Sequence, residues 1–312
     1  MVFTKSNSEI LSTESKPSID AVTKALKGLG HEVVNLGDDR TLATRLKEEN
    51  PQLVFNLGGG WGRTCAATIP VICDLESVHY SGSDGMTLAL AQNKYAAKVL
   101  VASMEAPVVE GVIITELSEL DHLLLPLPLF LKPLYGSDGL GIEGQPYVMY
   151  EDELYPQVSM LLQKYSQPVL VEELLEGREF VVGLWGGSNP DIISIMERKW
   201  VDNRSEPFIY TRELRENASE FVNLVCPAEL RSNLATDISG IARIAWRAVG
   251  CCDLAIVDIK CNADGEPQFL EIDPLPDLTP GRGVITIMAE MMGISYRELI
   301  EGILKSALSR IQ

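Results

Sequence analysis

The sequence predicts an α/β protein, and three features of its 312 residues support that class. Helix-like and strand-like segments alternate over residues 18–57, which favours a parallel sheet with helices on its faces. An Asp-Gly pair separates two strand-like runs at residues 254–273, and this pattern is typical of a β-hairpin. Amphipathic helices precede and follow that hairpin, at residues 228–250 and 295–311.

The N-terminal segment predicts two helices and two strands in alternation. In chain order these are the helix SIDAVTKALKGLG, which Gly30 ends, the strand HEVVNL, the helix RTLATRLKEEN and the strand QLVFNL. Gly58–Gly62, read GGGWG, follow that last strand directly. Ligands in open α/β sheets bind beyond the carboxyl ends of strands, so this run predicts a ligand loop, with a plain turn as the alternative.

The middle of the chain predicts a helix, a strand and a glycine-rich loop. The helix is GMTLALAQNKYAAKVLVASM and carries Lys94. In PLFLKPLYGSDGLGI, a strand runs into Lys132 and then into a loop that contains Gly136, Gly139 and Gly141. Glycines let backbone N–H groups approach phosphate oxygens closely, although the Walker A pattern is absent.

Two further strands follow in PVLVEELLEGREFVVGLW, joined by an acidic connection with Glu172, Glu173 and Glu179 around it. From Pro190 to Val225 the pattern is weak and favours loops. The helix over residues 228–250 is then well defined and ends at Gly250. Its apolar face is predicted to consist of Leu230, Leu234, Ile238, Ile241 and Ala245.

The predicted hairpin crowds three carboxylates together. A two-residue turn at Asp264-Gly265 places Cys261 opposite Gln268 and Asp258 opposite Glu271, while Asp273 shares the face of Glu271. Like charges so arranged repel each other, and a hard divalent cation removes the repulsion. Mg²⁺ is typically held by one or two carboxylates together with substrate phosphates, so a metal site is predicted. A solvated acidic hairpin is the alternative.

Composition excludes several classes of function. A net charge of −18 disfavours nucleic acid and anionic membranes as partners. With 46% hydrophobic residues, the chain is predicted to be a soluble protein of two or three domains. The six cysteines form no CxxC pair, so free thiols rather than a zinc site are expected. Neither a signal peptide nor a membrane span is apparent, and a cytoplasmic location is expected.

The order of these elements resembles that of the ATP-grasp carboxylate–amine ligases, and most closely their D-alanine–D-alanine ligase branch. The stretches that carry the resemblance are VFNL, YSGSDGMTLALAQNKYAAK, VEELLEGREF and DGEPQFLEIDPLPDLTPG. The resemblance extends over residues 17–312 and implies an ATP-grasp fold, with ATP clamped between two lobes. It implies an N-terminal α/β domain at 1–86, a central lobe at 87–182 and a C-terminal lobe at 183–312.

The resemblance also implies which residues bind ATP. Lys94 and Lys132 would hold the α- and β-phosphates, and a loop at 136–141 would close over the triphosphate, with Ser137, Asp138 and Gly139 at its centre. The adenine would lie against residues 172–175.

Within that adenine segment, which begins at Glu172, the backbone of Glu173 and Leu175 would contact the base, while Glu179 would hold the ribose. Two Mg²⁺ ions, with Mn²⁺ as an alternative, would be ligated by Asp258, Glu271 and Asp273.

The activity implied by the resemblance is amide or peptide bond formation. ATP would phosphorylate a small-molecule carboxylate to an acyl phosphate, and an amine, from an amino acid or a peptide, would then displace the phosphate. Such catalysis depends on positioning and charge stabilisation and needs no protein nucleophile. Lys132 and Arg282 are the predicted catalytic residues, and the oligomeric state is left open between a monomer and a homodimer.

Several substrate positions depart from the pattern of D-alanine ligases. An arginine two residues before the first metal aspartate is replaced by Ile256, a histidine-glycine pair by Gly58-Gly59, and a Lys-Tyr pair by Glu213-Leu214. The expected N-terminal glutamate has only Glu9 and Glu14 as candidates.

Two arginines, Arg63 and Arg282, stand where the branch has an acid and a serine, so both are predicted to contact substrate. A surface pair between Arg282 and Asp277 is the alternative for the second. These departures predict a ligase whose substrate is not D-alanine. A true D-alanine–D-alanine ligase and a catalytically silent nucleotide-binding protein are the two alternatives.

Overall fold

A computed structural model describes residues 2–3, 15–37, 39–58, 65–136, 142, 144–202, 207–211, 213–214 and 218–311. Three separate sheets organise these residues: a short parallel pair near the N-terminus, a four-stranded antiparallel sheet and a five-stranded antiparallel sheet.

The N-terminal segment has the predicted alternation of helices and strands, but its strands are short. Its elements are β1 (Val2–Phe3), α1 (Ser15–Gly28), β2 (Val34–Asn35), α2 (Leu42–Glu49) and α3 (Cys65–Leu75). Strand β1 was not predicted; it pairs in parallel with β2, which lies within the predicted strand HEVVNL. The strand predicted at residues 52–57 is reduced to a single parallel bridge between Val54 and Tyr80, and α3 was not predicted.

The long helix predicted at residues 85–104 is instead two helices, α4 (Gly85–Gln92) and α5 (Lys94–Ser103), separated by Asn93. Asn93 is extended, with φ −90° and ψ 93°, and its side chain accepts a hydrogen bond from the N–H of Ala96 at 3.0 Å. An Asn side chain at this position satisfies a backbone donor that a new helix would leave unpaired. The break therefore starts α5 at Lys94, with Lys98 on the same face one turn later.

The four-stranded sheet has the strand order β3-β6-β4-β5, and every pairing is antiparallel. Its elements are β3 (Gly111–Ile114), a 3₁₀ helix (Leu117–His122), β4 (Leu129–Pro133), β5 (Tyr147–Val148), α6 (Glu151–Tyr165) and β6 (Val169–Glu173). Helix α6 covers one face through Val158 and Leu161, which pack with Leu131 and Val171 in one apolar cluster. The opposite face is left to polar side chains of the cavity described below.

The five-stranded sheet has the order β11-β10-β7-β8-β9 and is also antiparallel. Its strands are β7 (Glu179–Gly186), β8 (Asp191–Trp200), β9 (Val222–Val225), β10 (Asp253–Cys261) and β11 (Pro267–Asp273). Its helices are α7 (Ala218–Phe221), α8 (Ser232–Val249), α9 (Val284–Met291) and α10 (Tyr296–Ser309).

The loop prediction for residues 190–225 was wrong, because β8 and β9 lie there. Helix α8, by contrast, has the predicted apolar face, with Ile238, Ile241 and Ala245 buried. Alternate residues of β7 supply two cores: Phe180 and Val182 pack with α8, whereas Val181 packs with α9 and α10.

The β10–β11 hairpin confirms that Asp258 lies opposite Glu271, although its turn differs from the prediction. Cys261 lies opposite Pro267 rather than Gln268, and an irregularity between Asp258 and Ile259 restores the predicted register. At the turn only Gly265 has a positive φ, at 84°. A two-residue turn with two positive φ angles is therefore excluded, and a bulge in the ladder absorbs the extra residue.

The domain boundary predicted at residue 182 falls inside β7, which belongs to the five-stranded sheet. Strand β6 ends at Glu173 in the other sheet, so we propose that the boundary lies in the connection at 174–178. Gly177 in this connection donates its N–H to the carbonyl of Cys261 at 3.0 Å. A Cβ on residue 177 would lie 2.5 Å from that oxygen, so the close packing of connection and hairpin requires glycine.

A buried carboxylate ties the N-terminal segment to the five-stranded sheet. Asp253, at the start of β10, accepts hydrogen bonds from the N–H of Gly82 at 2.7 Å and from the hydroxyl of Ser306 at 2.7 Å, and it pairs with Arg310. Helix α1 packs in the same apolar cluster as α10. Among the described residues, no helix is both long enough and apolar enough to cross a membrane.

We predict that Gly177→Ala lowers the free energy of unfolding by about 1–3 kcal/mol, because the added methyl group must displace backbone. Urea denaturation measures the change. Gly187→Ala is the matched control, since a Cβ there meets no atom within 4 Å, and its effect should stay within about 0.5 kcal/mol. Equal stability of the two variants would contradict the packing described for the connection.

Candidate active site

A cavity of about 390 Å³ lies where the two antiparallel sheets and the N-terminal segment meet. The four-stranded sheet contributes Lys132, Glu172 and Glu173, and the connection after it contributes Leu174 and Leu175. The five-stranded sheet contributes charged side chains, namely Glu179, Arg198, Asp258, Lys260, Glu271 and Asp273. The structure thus brings nearly all of the predicted nucleotide and metal residues that it describes to one place.

A buried cluster of lysines surrounds Glu172 on the side of the four-stranded sheet. Lys132 Nζ lies 2.8 Å from one carboxylate oxygen of Glu172, and Lys98 forms an ion pair with the other. Lys94 donates a hydrogen bond to the carbonyl oxygen of Gly136, at the start of the predicted phosphate loop. All four side chains are buried, so this is a concentrated region of positive charge in a low-dielectric environment.

Burial and charge act against each other in this cluster. Burial favours the neutral form of Glu172, but the charges of Lys132 and Lys98 outweigh it, so the pKa of Glu172 is lowered. Burial lowers the pKa of Lys98 to about 8, and it also lowers the pKa of Lys94. Burial also disfavours the charged form of Lys132, but the negative charges of Glu172 and Glu271 outweigh burial, so the pKa of Lys132 is raised. An anion in the cavity would stabilise the charged form of every lysine here.

A second charged group lies on the five-stranded sheet and centres on Arg198. Its Nη1 atom lies 2.9 Å from Asp258 and 3.5 Å from Glu179, and its guanidinium lies 4.2 Å from the ring centroid of Tyr210. Lys260 Nζ approaches the other oxygen of Glu179 at 3.5 Å. Glu179, predicted to hold a ribose, is therefore a buried carboxylate between two cations at the edge of the cavity.

Burial and the negative charge of neighbouring carboxylates both raise the pKa of Asp258, one of the predicted metal ligands. Burial raises the pKa of Asp258 to about 7; Arg198 opposes this rise, while Glu271 and Glu179 add to it. Asp273 faces the same cavity, and its Oδ1 atom accepts a hydrogen bond from the N–H of Leu275 at 2.9 Å. A divalent cation beside Asp258 and Glu271 would offset the negative charge of these carboxylates.

The three carboxylates suit a metal ion whose remaining ligands come from the phosphates of a nucleotide. Within the described part of the chain, no three carboxylate, imidazole or thiol groups gather closely enough to hold an ion by themselves. Mg²⁺ commonly takes one or two carboxylates and completes its shell with phosphate oxygens and water. The oxygen donors of Asp258, Glu271 and Asp273 suit that arrangement, and their ligation of metal stays a prediction.

The last residue of β6 and the connection after it line the cavity where the sequence predicted contact with the adenine base. Glu173, Leu174 and Leu175 line the cavity, and Leu174 and Leu175 are buried. The N–H of Glu173 donates to the carbonyl of Glu110 at 3.1 Å, and that of Leu174 donates to Pro128 at 3.1 Å. By contrast, the N–H of Leu175 makes no hydrogen bond within the part of the chain that the structure describes.

Three charged residues of the site, Lys98, Arg198 and Lys260, were not among the predicted site residues. Lys98 lies within the quoted stretch NKYAAK, and its spacing of four from Lys94 on a helix could have revealed it. Arg198 lies in the segment with a weak pattern, and only the pairing of β8 with β7, which sets Arg198 opposite Glu179, brings it to the cavity.

Some predicted substrate residues lie elsewhere. Arg282 is not among the residues that line the cavity; its Nε atom lies 3.9 Å from Asp277, which does line it. Arg282 therefore pairs with a residue of the cavity wall, and its predicted contact with substrate stays a prediction. Glu213 and Leu214 do not line the cavity either.

The remaining predicted residues lie outside the described part of the chain. They are Glu9, Glu14, Gly59, Arg63, Ser137, Asp138, Gly139 and Gly141.

Comparison with known proteins places these features in context. Residues 114–305 match the family described as D-ala D-ala ligase C-terminus. The chain is 30% identical to the uncharacterized protein y4sG of Sinorhizobium fredii over 93% of this chain and 87% of that protein. It is 27% identical to a D-alanine–D-alanine ligase of Beijerinckia indica, covering 92% and 91% of the two chains.

A solved structure supports the fold. The D-alanine–D-alanine ligase of Bacillus anthracis, complexed with ATP, superposes with a TM-score of 0.77 at 20% identity, over 99% of this chain and 97% of that one. The ATP-grasp fold class expected from the sequence is thereby confirmed.

We predict that Glu172→Gln lowers the free energy of unfolding by about 3 kcal/mol, because Lys98 and Lys132 lose their shared buried counter-charge. Urea denaturation without nucleotide is the measurement. Glu173→Gln is the matched control, since its half-buried side chain makes no ion pair in the described structure, and it should change stability by less than about 0.5 kcal/mol. A Glu172→Gln protein as stable as this control would show that the cluster is not a stabilising unit.

Proposed function

Because the chain belongs to the D-alanine–D-alanine ligase family, whose members are ATP-dependent carbon–nitrogen ligases, we propose that it joins a carboxylate other than D-alanine to an amine through an acyl phosphate. The single observation that carries the proposal is the composition of one cavity. Groups suited to phosphates and a metal converge in it, but the residue two positions before Asp258 is the apolar Ile256.

ATP is the phosphoryl donor in this proposal. Lys132 and Lys94 bind the α- and β-phosphates, and the lysine cluster gives the excess positive charge that a polyphosphate requires. Leu175 donates its backbone N–H to the adenine ring, and Glu173 supplies a backbone carbonyl. Glu179 accepts hydrogen bonds from the ribose hydroxyls, at the end of the cavity nearest Lys260. Ser137, Asp138 and Gly139 are proposed to cover the triphosphate.

Asp258, Glu271 and Asp273 are proposed to hold Mg²⁺, with Mn²⁺ as an alternative. Bound metal would supply charge neutralisation on the phosphates. Arg198 positions Asp258 and favours its ionised form, because its guanidinium donates a hydrogen bond at 2.9 Å and opposes part of the rise in pKa that burial causes.

Two displacements make up the proposed reaction. A carboxylate oxygen of the first substrate attacks the γ-phosphorus, the bond to the β–γ bridging oxygen breaks, and ADP leaves. The nitrogen of the second substrate attacks the acyl carbonyl, phosphate leaves with the bonding electrons, and the amine loses a proton. Lys132 is proposed to stabilise the charge that develops on the phosphates, so positioning and electrostatics supply the catalysis.

A true D-alanine–D-alanine ligase is the second candidate, and the 27% identity to a protein of that name favours it. The loss of the arginine at position 256 argues against it. A cytoplasmic location, small-molecule amino acid or peptide substrates and a monomer or homodimer are part of the same proposal.

Glu271→Ala should lower ADP release by roughly 100-fold or more, because it removes an oxygen ligand opposite Asp258. It should also reduce the rise in melting temperature that ATP with Mg²⁺ causes, since a ligand that binds only the native state stabilises it. Asp264→Ala, an exposed carboxylate in the turn of the same hairpin, is the control and should behave as wild type. Normal turnover in Glu271→Ala would refute the metal assignment.

Arg282→Ala tests the substrate role that the sequence suggested for this arginine. Because Arg282 pairs with Asp277 at 3.9 Å and is partly exposed, we expect every kinetic constant to stay within a factor of about two. Steady-state kinetics with ATP, carboxylate and amine varied in turn is the measurement. A tenfold or larger fall in kcat, with the affinity for ATP unchanged, would instead restore the predicted substrate role.

A further inference from the structure

We infer that the substrate end of the cavity accepts a carboxylic acid with a bulky apolar side chain, and that the amide of Asn56 holds one of its oxygens. The inference rests on the proposed function, since it names the substrate class of the same site. It is carried by the order of residues along β10, the apolar wall beyond them and an unpaired donor in that wall.

Four side chains of strand β10 line the cavity in succession. Alternate side chains of a strand point to one face, and Lys260, Asp258, Ile256 and Leu254 all line the cavity. At roughly 3.4 Å per residue, Ile256 lies about 7 Å beyond Asp258 and Leu254 about 14 Å beyond it.

The nucleotide end of this line is at Lys260, beside Glu179. The group that receives the γ-phosphate must lie on the far side of Asp258, next to Ile256 and Leu254. Ile256 pairs directly opposite Asp273, so an apolar side chain adjoins a predicted metal ligand.

Other elements continue the apolar wall around this end. Its further members are Phe55, Leu57, Leu278, Val284 and Ile303. They come from the N-terminal segment, the connection after β11, α9 and α10. All belong to or pack against the core cluster that includes Leu254 and Ile256, so the cavity opens directly onto the apolar core.

The two ends of the cavity differ in their positively charged side chains. The basic side chains among the described residues that line it are Lys132, Arg198 and Lys260. Each of them pairs with a carboxylate of the nucleotide or metal end. A negatively charged substrate side chain beside Ile256 and Leu254 would therefore lose its hydration without gaining a cation among the described residues that line the cavity. An aliphatic or aromatic side chain gains from the same burial, and a methyl group would leave most of the wall uncovered.

Asn56 supplies the polar contact at this end. Its side chain is 4% exposed and lines the cavity. The backbone N–H of Gly58 donates to Asn56 Oδ1 at 3.0 Å, which fixes Oδ1 as the acceptor and leaves Nδ2 as the donor. Within the described residues Nδ2 has no hydrogen-bond partner, and a buried donor of this kind requires an acceptor. A carboxylate or carbonyl oxygen of a bound substrate would meet that need.

The test uses wild-type protein with ATP, Mg²⁺ and hydroxylamine, which converts an acyl phosphate into a hydroxamate and releases phosphate. Both enantiomers of leucine, phenylalanine, alanine and glutamate are compared as the acid. We expect kcat/KM for leucine or phenylalanine, in one enantiomer, to exceed that for alanine and glutamate at least tenfold. Equal or better use of alanine or glutamate would overturn the inference and leave the proposed ligase activity intact. No hydroxamate from any acid would overturn the proposed activity, and the inference with it.

Two variants locate the effect. Ile256→Ser should lower kcat/KM for the preferred acid at least tenfold with little change for alanine, and Asn56→Leu should raise KM for every acid. Both should retain the rise in melting temperature with ATP and Mg²⁺, which separates loss of acid binding from loss of folding or nucleotide binding. Val99→Ser, an exposed apolar position on α5, is the control. Unchanged selectivity in a folded Ile256→Ser protein would refute the role of the wall; should that variant not fold, Ile256→Val carries the same comparison.

Discussion

The buried carboxylate of Glu172 between Lys98 and Lys132 is the interaction on which the site depends. Three elements meet at this point, because Glu172 is on β6, Lys132 is on β4 and Lys98 is on α5. Two ammonium groups at one carboxylate leave a net positive charge in an environment that excludes water. Such a buried charge is unfavourable unless an anion lies near it. The same contacts therefore organise the four-stranded sheet and prepare it for a phosphate chain, and the helix break at Asn93 sets the position of the two α5 lysines.

The five-stranded sheet supplies the complementary acidic half, and its geometry separates binding from chemistry along one strand. Because side chains of β10 alternate, Lys260, Asp258 and Ile256 face the cavity at regular intervals, at the positions that we propose for nucleotide, metal and substrate. The neighbouring strand β8 adds Arg198, which bridges Asp258 and Glu179. The backbone hydrogen bonds that join β8, β7 and β10 thus fix the relative positions of Arg198, Glu179 and Asp258.

The N-terminal segment completes the substrate end and is held to the sheet by buried polar contacts. Asp253 joins Gly82, Ser306 and Arg310, and it does so at the first residue of β10. This arrangement places the loop that carries Asn56 against the apolar end of the same strand. In the proposed function, substrate selection is therefore a property of the junction between segments, whereas nucleotide binding belongs to the two antiparallel sheets.

Local patterns in the sequence determined the hairpin, the strands around Glu172 and the long helix over 232–249, because alternation and helical periodicity are encoded in neighbouring residues. Asp258 lies opposite Glu271 as predicted only because a bulge compensates for the different turn. Tertiary structure alone decided the rest. Arg198 reaches the site only because β8 pairs with β7, and Lys98 only because its helix restarts after Asn93. Arg282, adjacent in sequence to the acidic hairpin, instead turns to Asp277. The contacts of Arg198 and Lys98 come from packing between distant segments, which no local period records, whereas Arg282 pairs within its own turn.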